Sequence, residues 1–189
     1  MAETRFSGRR RLLLAFALGS IAALGQAPSG LWWATLAGLA GLVWQLERER
    51  SRRGAFLVGL AAGSGYFGLA LSWIVEPFLI DVAKDGWMAP FAVVFLSVGL
   101  ALFWGTAAAL ARLAPQRALG FVVAFVALEW LRGVILTGFP WAMIGHVWIG
   151  TPVDQIAALA GPSGLGLLTL GAAALPVLSV RAFWSVFGR

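Results

Sequence analysis

Apolar runs at residues 12–25, 31–46, 54–75, 89–111, 118–136 and 162–180, parted by short polar stretches, restrict this fold more than any other feature. Each is read as a transmembrane helix, because ~20 mostly apolar residues cross the hydrocarbon core of a bilayer. The expectation is an all-α, polytopic membrane protein, a bundle of about six transmembrane helices forming a single domain over residues 1–189. With 60% hydrophobic and 12% charged residues and a mean hydropathy of +0.88, a soluble globular domain is excluded. Six spans use up the 189 residues and leave no room for a soluble catalytic domain.

The net charge of +6 does not point to nucleic acid, because the basic residues flank the apolar runs in short clusters. Arg5, Arg9, Arg10 and Arg11 precede the first run, and Arg48, Arg50, Arg52 and Arg53 follow the second. Arg112 and Arg117 lie between the fourth and fifth, and Arg181 and Arg189 follow the sixth. The three loops on the other side hold only Lys84. Basic loops stay cytoplasmic, so both termini of this chain are expected on the cytoplasmic side of the membrane, with anionic lipid headgroups as partners of the arginines.

A basic start, a short apolar centre and small residues near Gln26 and Ala27 also fit a signal peptide, and Arg9-Arg10-Arg11 hints at a twin-arginine type. The run at 31–46 follows at once and makes a tight membrane hairpin, so the first helix is read as retained. In the third run, Gly59, Gly63, Gly65 and Gly68 allow close helix contact, and Tyr66 and Trp73 are read as packing or interface residues. Residues 76–87 are polar and mark the outer side, with 77–80 dipping into the interface. Trp32, Trp33, Trp44, Trp73, Trp87, Trp141, Trp148 and Trp184 fall at span ends as an aromatic belt, while Trp104 and Trp130 lie within spans.

Most acidic residues flank the spans, but Glu129 lies inside one. An intramembrane carboxylate suggests a proton relay or headgroup contact. Arg132 stands one helical turn away, and the two are read as a structural ion pair that positions the loop behind them. His146, the one histidine, has no second His, no Cys and no near carboxylate, so no metal site is expected, although it is open to titration or to phosphate. No cofactor is implied. The serines and threonines have no nearby base, and the chain has no cysteine, which excludes thiolate chemistry within it.

Three stretches together resemble the membrane domain of apolipoprotein N-acyltransferases. They are the glycine-rich Gly65-Tyr66-Phe67-Gly68 leading to Trp73, the motif Glu129-Trp130-Leu131-Arg132-Gly133 leading to Thr137-Gly138-Phe139-Pro140-Trp141, and the segment from Gly145 through Pro152 to Leu165. The resemblance implies transfer of an acyl chain from a phospholipid donor to a thiol, then to the N-terminal amine of a diacylglyceryl-cysteine lipoprotein acceptor. In that family a Glu-Lys-Cys triad on an outer nitrilase-like domain does the chemistry. With no Cys and Lys84 alone, this chain by itself is expected to be inactive, with that domain missing or separate. By resemblance, Gly138, Phe139, Pro140 and Trp141 shape the substrate access, and Glu129 and Arg132 hold it in place. Two other readings stand beside this one: a membrane scaffold for a separate catalytic subunit, and a small proton-coupled transporter using Glu129.

Overall fold

A computed structural model describes the backbone of residues 8–135 and 137–187. Arg5, Arg189 and the end of the 118–136 run lie outside the described residues, as do the side chains of Arg181 and Trp184. The fold is all-helical among the described residues, as a polytopic membrane bundle requires. Six helices have 16 residues or more: α1 (Gly8–Ala23), α2 (Trp32–Arg48), α3 (Arg52–Ala70), α5 (Ala89–Ala111), α6 (Arg117–Val134) and α7 (Ala157–Phe187). A short α4 (Val82–Asp85) and four 3-10 turns complete the chain.

By length and hydropathy, Val82–Ala111 and Pro152–Val180 can each cross a membrane, and α3 with the 3-10 turn Ser72–Leu79 makes a third candidate bent by 46°. A single α-helix over 54–75 does not form. Pro77 has no N–H to offer and its ring opposes the carbonyl four residues back, so the chain tightens into 3-10 turns after Ala70. Helices α1 and α2, at 16 and 17 residues, are shorter than the hydrocarbon core is thick.

Inside a membrane, burying an apolar side chain yields little, so close packing of small residues holds helices together. An added Cβ at Gly19 of α1 would overlap the Ala62 carbonyl of α3, and one at Gly63 would come within 2.8 Å of the Ala101 Cβ on α5. These glycines bring α1, α3 and α5 into backbone contact. Around that seam Tyr66, Phe67, Trp104 and Phe125 pack ring against ring, with Trp104 4.9 Å from both Tyr66 and Phe125. All four are buried, and they form the floor beneath the far end of the bundle, the end opposite the arginine clusters.

Two backbone features shape that far end. Helix α6 stops at Val134, and Gly138 adopts a left-handed φ of +75°, with its N–H on the Ile135 carbonyl at 2.8 Å. Helix α7 is kinked at Gly161, whose φ of +66° ahead of Pro162 separates a first short turn from the long run.

Candidate functional site

The last turns of α6 carry the two charges that the sequence sets one turn apart, and both are buried, Glu129 at 4% and Arg132 at 2% exposure. Their direct contact is long, 3.8 Å from Arg132 Nη2 to Glu129 Oε1. Each makes its better hydrogen bonds to the chain that follows. Glu129 Oε1 accepts the backbone N–H of Ile144 at 2.8 Å. Arg132 Nη1 donates to the carbonyls of Phe139 at 2.6 Å and Trp141 at 2.9 Å, and the Phe139 N–H returns a bond to the Arg132 carbonyl at 3.0 Å. The guanidinium also sits 5.2 Å from the centre of the Phe67 ring.

A second pair of polar side chains completes the attachment. Tyr66 of α3 donates its hydroxyl hydrogen to the Ala142 carbonyl at 3.2 Å. Gln26, in the turn after α1, donates to the Tyr66 oxygen at 2.5 Å and to the Met143 carbonyl at 2.9 Å. Ala142 takes a left-handed φ of 52°, a conformation that costs a non-glycine residue of order 1–3 kcal/mol and is kept where neighbours over-determine it. The carbonyls of residues 139, 141, 142 and 143 and the N–H of 144 are thus all held by buried side chains from three separate parts of the chain. Non-helical backbone at membrane depth is tolerated only where it is satisfied in this way.

With the backbone fixed, the side chains of the segment take different roles. Phe139 packs against the core, and Pro140 and Trp141 are exposed. The Trp141 ring lies 5.5 Å from that of Trp73, and both are about half exposed, so the two indoles form an open aromatic edge at the far end. Gly138, Phe139, Pro140 and Trp141 are therefore contiguous, with Glu129 and Arg132 buried beneath them.

Sequence reasoning missed three partners. Gln26 gave no signal beyond being a polar residue at the end of an apolar run. Tyr66 and Trp73 show in the sequence only as packing or interface residues, Trp73 being also one of the span-end tryptophans. Two glycines also matter, because a Cβ at Gly145 would overlap the Pro162 carbonyl and one at Gly166 would lie 2.9 Å from Glu129 Oε2. Trp148 is tied in more firmly than a belt residue, stacked on Trp32 at 5.3 Å and donating to Thr169 Oγ1 at 2.7 Å.

His146 lies in the 3-10 turn Ile144–Trp148, where burial, and after it the Arg132 guanidinium, hold its imidazole below the usual histidine range. Among the described residues no three His, Asp or Glu side chains converge as metal ligands. On the outside of α6 and α7 a shallow apolar groove of about 400 Å³ runs beside Trp130. Its lining of Val123, Val126, Ala127, Leu167 and Ser163 could accept an alkyl chain and distinguish little else.

Residues 18–175 match the family model described as apolipoprotein N-acyltransferase N-terminal domain. An apolipoprotein N-acyltransferase of Caulobacter vibrioides is 48% identical over 188 residues, which cover 94% of this chain and 35% of that protein. Apolipoprotein N-acyltransferases of Brucella suis and Allorhizobium ampelinum are 37% and 36% identical, each over 91% of this chain and 35% of their own length. The chain spans about a third of the length of the curated relatives it matches.

Proposed function

The chain belongs to the apolipoprotein N-acyltransferase N-terminal domain family, and we propose that it is the membrane-embedded, substrate-admitting part of a phospholipid-dependent N-acyltransferase. In this reading the arginine-rich turns face the cytoplasm of a bacterial inner membrane, and the far end faces outward. The acyl donor is a phospholipid and the acceptor a lipoprotein bearing a diacylglyceryl-cysteine. The 189 residues hold no cysteine, so the thiol that would carry the acyl chain must lie outside them.

One observation carries the reading: the segment 139–144 is locked by Glu129, Arg132, Tyr66 and Gln26, while its one large exposed side chain, Trp141, stands against Trp73. A rigid backbone that presents an indole edge at the lipid–water boundary suits the positioning of an amphiphile. The arrangement does not suit a transport relay, because Glu129 Oε1 is committed to the Ile144 N–H and stands beside a permanent cation.

The test is a chimaera in which this chain replaces the matching region of the Caulobacter vibrioides relative. N-acylation of a diacylglyceryl-lipoprotein is then followed by mass spectrometry. Activity in the chimaera, a several-fold fall in Trp141→Ala and none from the 189 residues alone support the proposal. A chimaera that inserts and melts normally yet acylates nothing overturns it.

A further inference from the structure

At the arginine-rich end, the turn between α2 and α3 is a hub for three other helices. Arg11 of α1 donates from Nη1 to Glu49 Oε2 at 2.9 Å, and the Arg11 carbonyl accepts from Gln45 at 2.8 Å. Arg112, at the end of α5, donates to the Arg50 carbonyl at 2.8 Å. Arg117, opening α6, donates to the carbonyls of Glu47 at 2.9 Å and Glu49 at 3.4 Å, so a cation sits at the C-terminal end of α2. Glu47 answers by accepting the Ala118 N–H at 2.8 Å.

These bonds fix where the charge goes. Among the residues whose side chains are described, this end holds nine arginines and two glutamates, an excess of seven positive charges. Both glutamates are committed, Glu49 to Arg11 and Glu47 to the first turn of α6. Burial, and after it the neighbouring Arg117, push the Arg112 guanidinium below its ordinary value. Arg9, Arg10, Arg52 and Arg53 are exposed and have neither an ion pair nor a hydrogen bond among the described residues. The helix starts that carry them lie close together, because a Cβ at Gly54, in the first turn of α3, would lie 3.6 Å from Arg11 Nη1.

We propose that Arg9, Arg10, Arg52 and Arg53 form a binding site for the phosphate of an anionic phospholipid, on a platform that Arg11, Arg112 and Arg117 hold in place. Charge clustering alone orients a chain in the membrane. The bonding around the hub adds that Glu47 and Glu49 are already bonded, while four exposed guanidiniums have no partner among the described residues. Every cation here is arginine, whose planar fork matches phosphate oxygens two at a time. A net-negative headgroup is favoured over a zwitterionic one, because the latter brings its own cation into an uncompensated positive field.

The experiment adds phosphatidylglycerol, or phosphatidylcholine with the same acyl chains, to the chain in a neutral detergent and follows the melting temperature. Phosphatidylglycerol is expected to raise it in a saturable way that high salt abolishes, and phosphatidylcholine to leave it unchanged. The double variants Arg9→Gln/Arg10→Gln and Arg52→Gln/Arg53→Gln should melt like the wild type without lipid. Each should need roughly fivefold more phosphatidylglycerol per arginine removed to reach half-saturation. Lys84→Gln should change nothing. Equal stabilisation by phosphatidylcholine, or unchanged half-saturation in both double variants, overturns the proposal. So does equal stabilisation by inorganic phosphate at matched ionic strength, which would assign the site to a free anion, or tighter binding of a single-stranded oligonucleotide.

Discussion

Glu129 Oε1 accepts the backbone N–H of Ile144 at 2.8 Å, which fastens the last turns of α6 to the start of the 3-10 turn Ile144–Trp148. The carboxylate is thereby a backbone anchor as well as the counter-charge of Arg132. Removing it leaves a buried guanidinium with no anion and an N–H with no acceptor. Glu129→Ala should cost about 3–5 kcal/mol, the usual loss on breaking a buried pair. Glu129→Gln keeps an oxygen for Ile144 and should cost less. Thermal melting in detergent gives the ranking, and hydrogen exchange at Ile144 should quicken more in the alanine variant.

Tyr66→Phe preserves the ring stack with Trp104 and removes one hydroxyl. The Ala142 carbonyl then has no donor, and Gln26 loses an acceptor inside a buried site. A loss of ~1–3 kcal/mol is expected, confined to residues 139–144 rather than spread over the bundle. Hydrogen exchange resolved by segment would show this, and uniform loosening would contradict it.

Trp141→Ala changes an exposed side chain whose backbone is held by Arg132, so its stability should stay within about 0.5 kcal/mol of the wild type. In the chimaera, acylation should nevertheless fall several-fold, and Trp73→Ala should behave alike because the two indoles share one edge. Melting curves measured beside initial rates separate the two effects. A stable and fully active Trp141→Ala would remove the indole edge from the substrate path.

Gly19→Ala and Gly99→Ala should act in opposite directions. A Cβ at Gly19 overlaps the Ala62 carbonyl and must push α1 away from α3, at a cost of about 1–3 kcal/mol. Gly99 has nothing within 4 Å of its Cβ position, so alanine there should be neutral or stabilising by up to ~1 kcal/mol through helix propensity. Paired melting curves of the two variants test the sign.

His146 supplies a pH dependence whose sign follows from its environment. Its folded value lies below the ordinary 6.5, from burial first and Arg132 second, so below that pH the unfolded chain binds more protons than the folded one. Stability should be full above about pH 6.5 and fall as the pH is lowered through the folded value. His146→Gln should flatten that part of the profile, as melting temperatures between pH 5 and 8 would reveal.

The apolar runs, the arginine-rich turns and the one-turn spacing of Glu129 and Arg132 were all legible in the sequence, because each rests on local composition or on the fixed geometry of a single helix. The end of α3 at Ala70 was within reach too, since Pro77 sits four residues beyond Trp73. The anchoring of 139–144 by Gln26 and Tyr66, the Trp73–Trp141 edge and the bond from the Ile144 N–H to Glu129 Oε1 were not. These contacts join parts of the chain far apart in sequence, and they depend on how each helix is rotated and where it crosses its neighbour. A soluble helix announces its rotation through a polar face. A helix such as α5, apolar from Ala89 to Ala111 on every side, announces nothing, so composition determined that this chain lies in a membrane as helices. Only the fit of small residues against backbone, as at Gly19 and Gly63, decided which faces meet and thus which polar groups share the buried site.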